Sequence, residues 1–165
     1  MMLFKLLGAV SILLSAAIFY FEGLKYENRK LRQTEGFISL LRYIKKQIGC
    51  FSTPINAIIS ECDKEILSSC GIKEGEWESG TSANLMSDML DACELCIDGR
   101  AIQSLKKFTR DFGKSYREEQ IKSCDYYISE LEEYRNDIQR EIPKQRKIRL
   151  ALCLCVSVSL ILLLI

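Results

Sequence analysis

The stretch KQRKIRLALCLCVSVSLILLLI, residues 144–165, decides the reading of this chain. It opens with four positive charges, Lys144, Arg146, Lys147 and Arg149, and no negative one; Leu150 to Ile165 then carries no charge at all. The other end mirrors it. Leu6 to Phe21 is uncharged, and a basic stretch beginning at Lys25 follows. Two apolar ends therefore flank a polar middle, which reads as a domain hung from a membrane at both ends. The expected division is a first transmembrane helix at 3–22, a helical domain at 25–147 and a second transmembrane helix at 148–165.

The first apolar run is short. Sixteen residues make about 24 Å of helix, against a hydrocarbon core of about 30 Å. Leu3 and Phe4 lengthen it when Lys5 snorkels to the interface. Phe19, Tyr20 and Phe21 form an aromatic interface band. Only Lys5 is positive on the far side, whereas Lys25, Arg29, Lys30 and Arg32 follow on the near side. Positive residues stay in the cytoplasm, and the basic run before the second span points the same way. Both rules expect the middle domain in the cytoplasm and both termini outside. The competing reading is a signal peptide, with Lys5 as its basic start and Ser15-Ala16-Ala17 near a cleavage site, leading to an exported, tail-anchored domain. The aromatic band and the basic run after it speak against that.

The 165 residues carry a net charge of only +1, but the charge is unevenly spread. Residues 25–46 hold seven Lys/Arg and two Glu, a net of +5, whereas residues 47–143 hold eleven basic and nineteen acidic side chains, a net of −8. Basic segments beside a membrane favour an anionic leaflet by about 1 kcal/mol per Lys or Arg near the surface. An anionic membrane surface is therefore an expected partner of the basic parts. The acidic part lies distal to it.

Eight Cys are present. Cys153 and Cys155 lie in the C-terminal apolar run; the others are Cys50, Cys62, Cys70, Cys93, Cys96 and Cys124. Cys93-Glu-Leu-Cys96 is a lone CxxC, and Cys62, Cys70 and Cys124 complete a four-thiolate zinc site only by an irregular arrangement. At these helical positions Cys acts mostly as a small hydrophobe. No metal site is expected.

Hydrophobic periodicity expects helices throughout the middle. Phe37, Leu40, Leu41, Ile44 and Ile48 repeat at helical spacing, and with no Pro from Leu3 to Gly49 the first span can run on into this helix. Thr53-Pro54 reads as a helix start, with Ile55, Ile58, Ile59, Cys62 and Ile66 buried and Gly71 ending it. Residues 71–83 read as a loop carrying Trp77, whose ring is expected to pack on the bundle. Thr81 or Ser82 caps a helix with Leu85, Met86, Met89, Leu90, Cys93 and Ile97 on its apolar side. Asp98 caps a shorter one with Ile102, Leu105, Phe108 and Phe112, closed by Gly113. Ser115 to Glu118 fits a capping box. From there Ile121, Cys124, Ile128, Leu131, Arg135, Ile138 and Ile142 form a heptad-like seam, until Pro143 kinks or breaks the helix. The expected fold class is all-α: a bundle of about five to six helices between two membrane anchors.

Chemistry is scarce. There is no His, hence no commonest acid–base group. Phosphate-loop and nucleophile-elbow motifs are missing. Glu118-Glu119 and Glu132-Glu133 are neighbours that point to different faces of a helix and read as solvated. The basic residues lack interleaved stacking aromatics, so nucleic acid is not an expected partner. No catalytic, cofactor-binding or metal-ligating residue is assigned. The residues read as a membrane-tethered scaffold or interaction domain rather than an enzyme.

The opening Leu6-Leu7-Gly8-Ala9-Val10 through Phe21-Glu22-Gly23, the following Arg29-Lys-Leu-Arg-Gln33, and Leu105-Lys-Lys-Phe108 through Phe112-Gly113 to Gln120 occur in an order and spacing that resembles one family. With the final basic run and apolar end, the chain is similar to stage III sporulation protein AB of endospore-forming bacteria. Leu150 to Ile165 departs from the family in having no Gly, and residues 70–84 carry none of the motifs behind the resemblance. The resemblance implies a non-enzymatic platform or assembly component of the channel, or feeding tube, joining mother cell and forespore. It implies a soluble domain similar to the helical cytoplasmic domain of the type II secretion platform protein, the F component. It also implies a secretion-type ATPase and other channel-complex membrane proteins as partners. Homo-oligomers are compatible with such a role. The alternative from the residues is a membrane-tethered regulator sensing redox state or metal through Cys62, Cys70, Cys93 and Cys96.

Overall fold

Each long apolar or amphipathic run in this sequence lacks the β-branched alternation of a strand, and helix is what forms among the described residues. The computed structural model describes residues 2–51, 57–58, 61–72 and 85–164. The helices are α1 (Met2–Phe51), α2 (Lys64–Cys70), α3 (Leu85–Ala92), α4 (Gly99–Asp111) and α5 (Arg117–Leu164), and no strand occurs among the described residues. The expected start at Thr53-Pro54, Ile55 and Ile59, the loop carrying Trp77, and the cap at Thr81 or Ser82 lie outside the described residues. So do the side chains of Leu3, Phe4, Lys5, Leu85, Met86 and Met89.

The chain divides into two compact units, one of Met1–Arg29 and Ile138–Ile165, the other of Lys30–Asp137. In the first, the start of α1 and the end of α5 run antiparallel: Glu27 meets Arg146, and Gly23 faces Arg149. Large apolar side chains stand exposed around both helices, among them Leu7, Leu14 and Phe19 on α1 and Leu152, Leu154 and Leu162 on α5. Their hydroxyl neighbours are satisfied internally: Ser15 donates to the carbonyl of Ser11, Ser157 to Cys153 and Ser159 to Cys155. By length and composition, α1 contains a stretch long and apolar enough to cross a membrane.

The second unit holds a conventional core. Phe37, Leu40, Leu41, Ile44 and Ile48 of α1 are buried, as expected, with Ile38 beside them, and so are Cys124, Ile128 and Leu131 of α5. Each fully buried aliphatic side chain contributes about 1.5–3 kcal/mol. The α5 face is wider than a heptad seam, because Tyr127 and Tyr134 are buried beside it. Phe108 of α4 meets Tyr127 edge to face, with ring centroids 5.5 Å apart. Gly36 lets α1 and α2 approach closely: a Cβ there would come within 2.7 Å of the Ser69 carbonyl carbon.

Four local expectations need correction. The helix expected from Thr53 to Gly71 is interrupted at Cys62–Asp63. Asp63 caps α2 by accepting from the Glu65 N–H at 3.0 Å, and the restart rotates Leu67 and Cys70, rather than Ile66, into the core. Gly71 does close α2, in the left-handed conformation at φ 90° that favours glycine. The next helix stops at Ala92 rather than at Ile97, because residues 94–98 spend their backbone groups on distant side chains (below). The capping box is absent. α5 begins at Arg117, and Gln120 instead donates from its side chain to the Ser115 carbonyl at 2.7 Å. Pro143, finally, lies inside α5 without breaking it. An interior Pro costs about 3 kcal/mol. Here helix on both sides is held in the same unit, by buried Ile138 before it and by Arg146 and Arg149 after it.

Candidate functional site

Two polar clusters stand out, one in each unit. In the first unit, Glu27 is 5 % exposed, an unusual place for a carboxylate. Arg146 donates from Nε to its Oε2 at 2.9 Å, and Arg149 Nη1 lies 2.8 Å from its Oε1. Arg146 also reaches Asn28 Oδ1 at 3.3 Å. Gly23 makes room for this arrangement, because a Cβ there would overlap the Arg149 guanidinium. One carboxylate thus holds two guanidiniums between antiparallel helices, just beyond their apolar stretches. A buried charge is tolerable only when paired in this way.

Next to this cluster a groove of about 450 Å³ runs between the apolar helices. Ser11, Ser15, Ala16, Cys153 and Ser157 form its recess, with Phe19, Leu152 and Leu160 among the larger residues lining it.

In the second unit, buried Gln33 spends its whole amide on other segments. Its Nε2 donates to the carbonyls of Cys70 (2.7 Å) and Glu94 (3.1 Å), and its Oε1 accepts from the Cys96 N–H (2.7 Å). Two residues farther, Tyr134 Oη accepts from the Asp98 N–H at 2.8 Å, while Lys30 Nζ pairs with Asp98 at 2.7 Å. Burial pulls the Lys30 pKa down, but its bond to Asp98 and its contacts with Tyr134 outweigh that and leave it raised. Asp98 does precede the first residue of α4, but it makes no side-chain cap bond there. Gln33 and Tyr134 together replace missing helical bonds of residues 94–98, and Lys30 holds the Asp98 side chain.

The cysteines are distributed as packing residues. Cys62, Cys70, Cys96 and Cys124 are buried, Cys93 is half-buried, and Cys50 and Cys155 are exposed. Burial pushes the Cys62 and Cys124 thiols up to about 11 and the Cys70 thiol higher. A thiolate sensor or ligand needs the opposite shift. No group of three or more metal-ligating side chains forms among the described residues. Of the adjacent carboxylates read as solvated, Glu132 pairs with Arg42 and Glu133 lies 3.9 Å from Arg100.

Neither Glu27 nor Gln33 stood out in the sequence. A signal existed for Glu27, one of two acidic residues in the strongly basic stretch 25–46. None existed for Gln33, a polar residue one turn before an apolar face.

The fold and these clusters define a class: an all-helical protein with a membrane-compatible N-terminal helix and polar clusters that bind chain segments together. The family model of stage III sporulation protein AB matches residues 5–165, and the chain belongs to that family. No curated protein and no solved structure matches it.

Proposed function

We propose that this sporulation protein is a non-enzymatic platform component of the mother cell–forespore channel, anchored in the membrane by two spans. The observation that carries the reading is the family match over residues 5–165. The exposed apolar side chains around the second helix of the first unit support a second span at 148–165, since such surface is stable facing lipid. The basic residues at 25–46 and 144–149 keep the domain between them in the cytoplasm and against anionic lipid. The acidic part, residues 47–143 with a net charge of −8, faces a secretion-type ATPase or a platform neighbour.

The first test is a clean deletion in the source organism, followed by microscopy of sporulating cells. The expected result is arrest after engulfment, with a forespore that forms and then shrinks. Normal heat-resistant spores would overturn the role. Topology is tested on a variant keeping only Cys50, which is exposed, rather than Cys62, which is buried. A membrane-impermeant thiol reagent is expected to label Cys50 only after permeabilisation; labelling in intact cells would reverse the orientation. ATPase binding is expected to weaken with salt, as screening requires. Binding that strengthens with salt would remove the acidic surface from the proposal.

A further inference from the structure

We infer that the groove between the two apolar helices is a site for one anionic phospholipid, its acyl chain in the recess and its phosphate at Arg149. The inference rests on the two-span reading above, and goes beyond it by naming a ligand and its seat. The recess is lined by the small residues Ser11, Ser15, Ala16, Cys153 and Ser157, and two of its hydroxyls donate to their own helix. Ser15 bonds the Ser11 carbonyl at 2.9 Å and Ser157 the Cys153 carbonyl at 2.7 Å. With those donors spent, the lining of the groove of about 450 Å³ is mostly apolar, which suits an alkyl chain better than water.

The groove has one charged end. From Phe19, which lines it, to Gly23 is one helical turn, about 6 Å. The Arg149 guanidinium lies over Gly23. Glu27 Oε1 lies 2.8 Å from one nitrogen of that guanidinium, Nη1, and the Arg149 side chain keeps 22 % of its exposure; with five donors on a guanidinium, donors remain for a phosphate. Arg146 and Lys25 add positive charge at this level, opposed by Glu27 and Glu22, so with Arg149 the end is net positive. An apolar channel ending in guanidinium donors matches an amphiphile with a fatty tail and an anionic head. Basic pockets between membrane helices on the cytoplasmic side hold such headgroups.

The test uses the full chain inserted in vesicles of equimolar phosphatidylglycerol and phosphatidylcholine, extracted into mild detergent and weighed intact by mass spectrometry. The expected result is one phosphatidylglycerol retained in preference to phosphatidylcholine. Ala16→Leu, which fills the recess and leaves every charge in place, is expected to abolish retention. Arg149→Gln is expected to lower the preference about fivefold, the effect of one basic contact near a membrane surface. Lys147→Gln, outside the groove, is expected to keep it. Equal retention of both lipids, or unchanged retention in Ala16→Leu, would overturn the lipid site while leaving the two-span reading intact. A dimer mass lost in Ala16→Leu would assign the groove to a second copy and overturn it too. A chain that alkaline carbonate strips from the vesicles would overturn the two-span reading, and the lipid site with it.

Discussion

Gln33 shows how much one side chain can hold. Its amide closes three backbone groups, on Cys70, Glu94 and Cys96, that no helix satisfies. Gln33→Leu keeps the volume and removes all three partners. Each buried group left unsatisfied costs about 1–3 kcal/mol, so the variant is expected to lose about 3 kcal/mol or more. Thermal unfolding of the full chain in detergent, followed by circular dichroism, measures it, and a melting curve matching the parent would show that the clamp is dispensable. Gly71 belongs to the same clamp: beyond its φ of 90°, a Cβ there would come within 2.8 Å of the Gln33 amide nitrogen.

At the scale of elements, α1 and α5 depend on pairs far apart in sequence. Glu27 and Arg146 are 119 residues apart. Glu27→Ala leaves two arginines facing each other at a partly buried position. Removing one member of a buried ion pair costs about 3–5 kcal/mol; with both arginines partly exposed, the lower end is expected. A variant as stable as the parent would mean that water already screens the cluster. Pro143 makes the opposite prediction. It is exposed inside α5 and lacks the N–H that a helix needs. Pro143→Ala is expected to raise stability by about 1–3 kcal/mol. A loss of stability would mean that the proline shapes the helix in a way the packing requires.

Over the whole molecule, the thiols report how tightly the second unit is closed. Cys62 and Cys124 ionise near 11 in the folded protein, above the usual thiol range, because burial disfavours the thiolate. The folded state therefore holds protons that the unfolded chain releases near pH 9. Their contribution is fully present below that pH and falls away as pH rises toward 11. Unfolding midpoints are expected to drop across that window, and less so in a Cys62→Ala, Cys124→Ala double variant measured against its own neutral-pH value. A thiol titration of native protein at pH 8 is expected to find Cys50 fast and Cys62, Cys70 and Cys124 slow. Fast reaction of the buried three would show that the unit opens readily, and would revive a sensing role.

Much of this protein is written locally. Uncharged runs at both ends, basic flanks, helical spacing from Phe37 to Ile48 and from Ile121 to Ile138, and the stop at Gly71 all follow from neighbouring residues, because apolar periodicity and turn chemistry act over a few positions. Those features determined the all-helical class and the segregation of charge. The tertiary structure alone decided where the middle helices restart and stop, why Pro143 stays inside a helix, and which polar groups are buried. Glu27 is buried because Arg146 and Arg149 meet it, and residues 94–98 leave the helix because Gln33 and Tyr134 supply backbone bonds they give up, with Lys30 holding the Asp98 side chain. A buried polar group is stable only with its partner in place, and here the partners lie 36 to 122 residues away, beyond the reach of any local pattern.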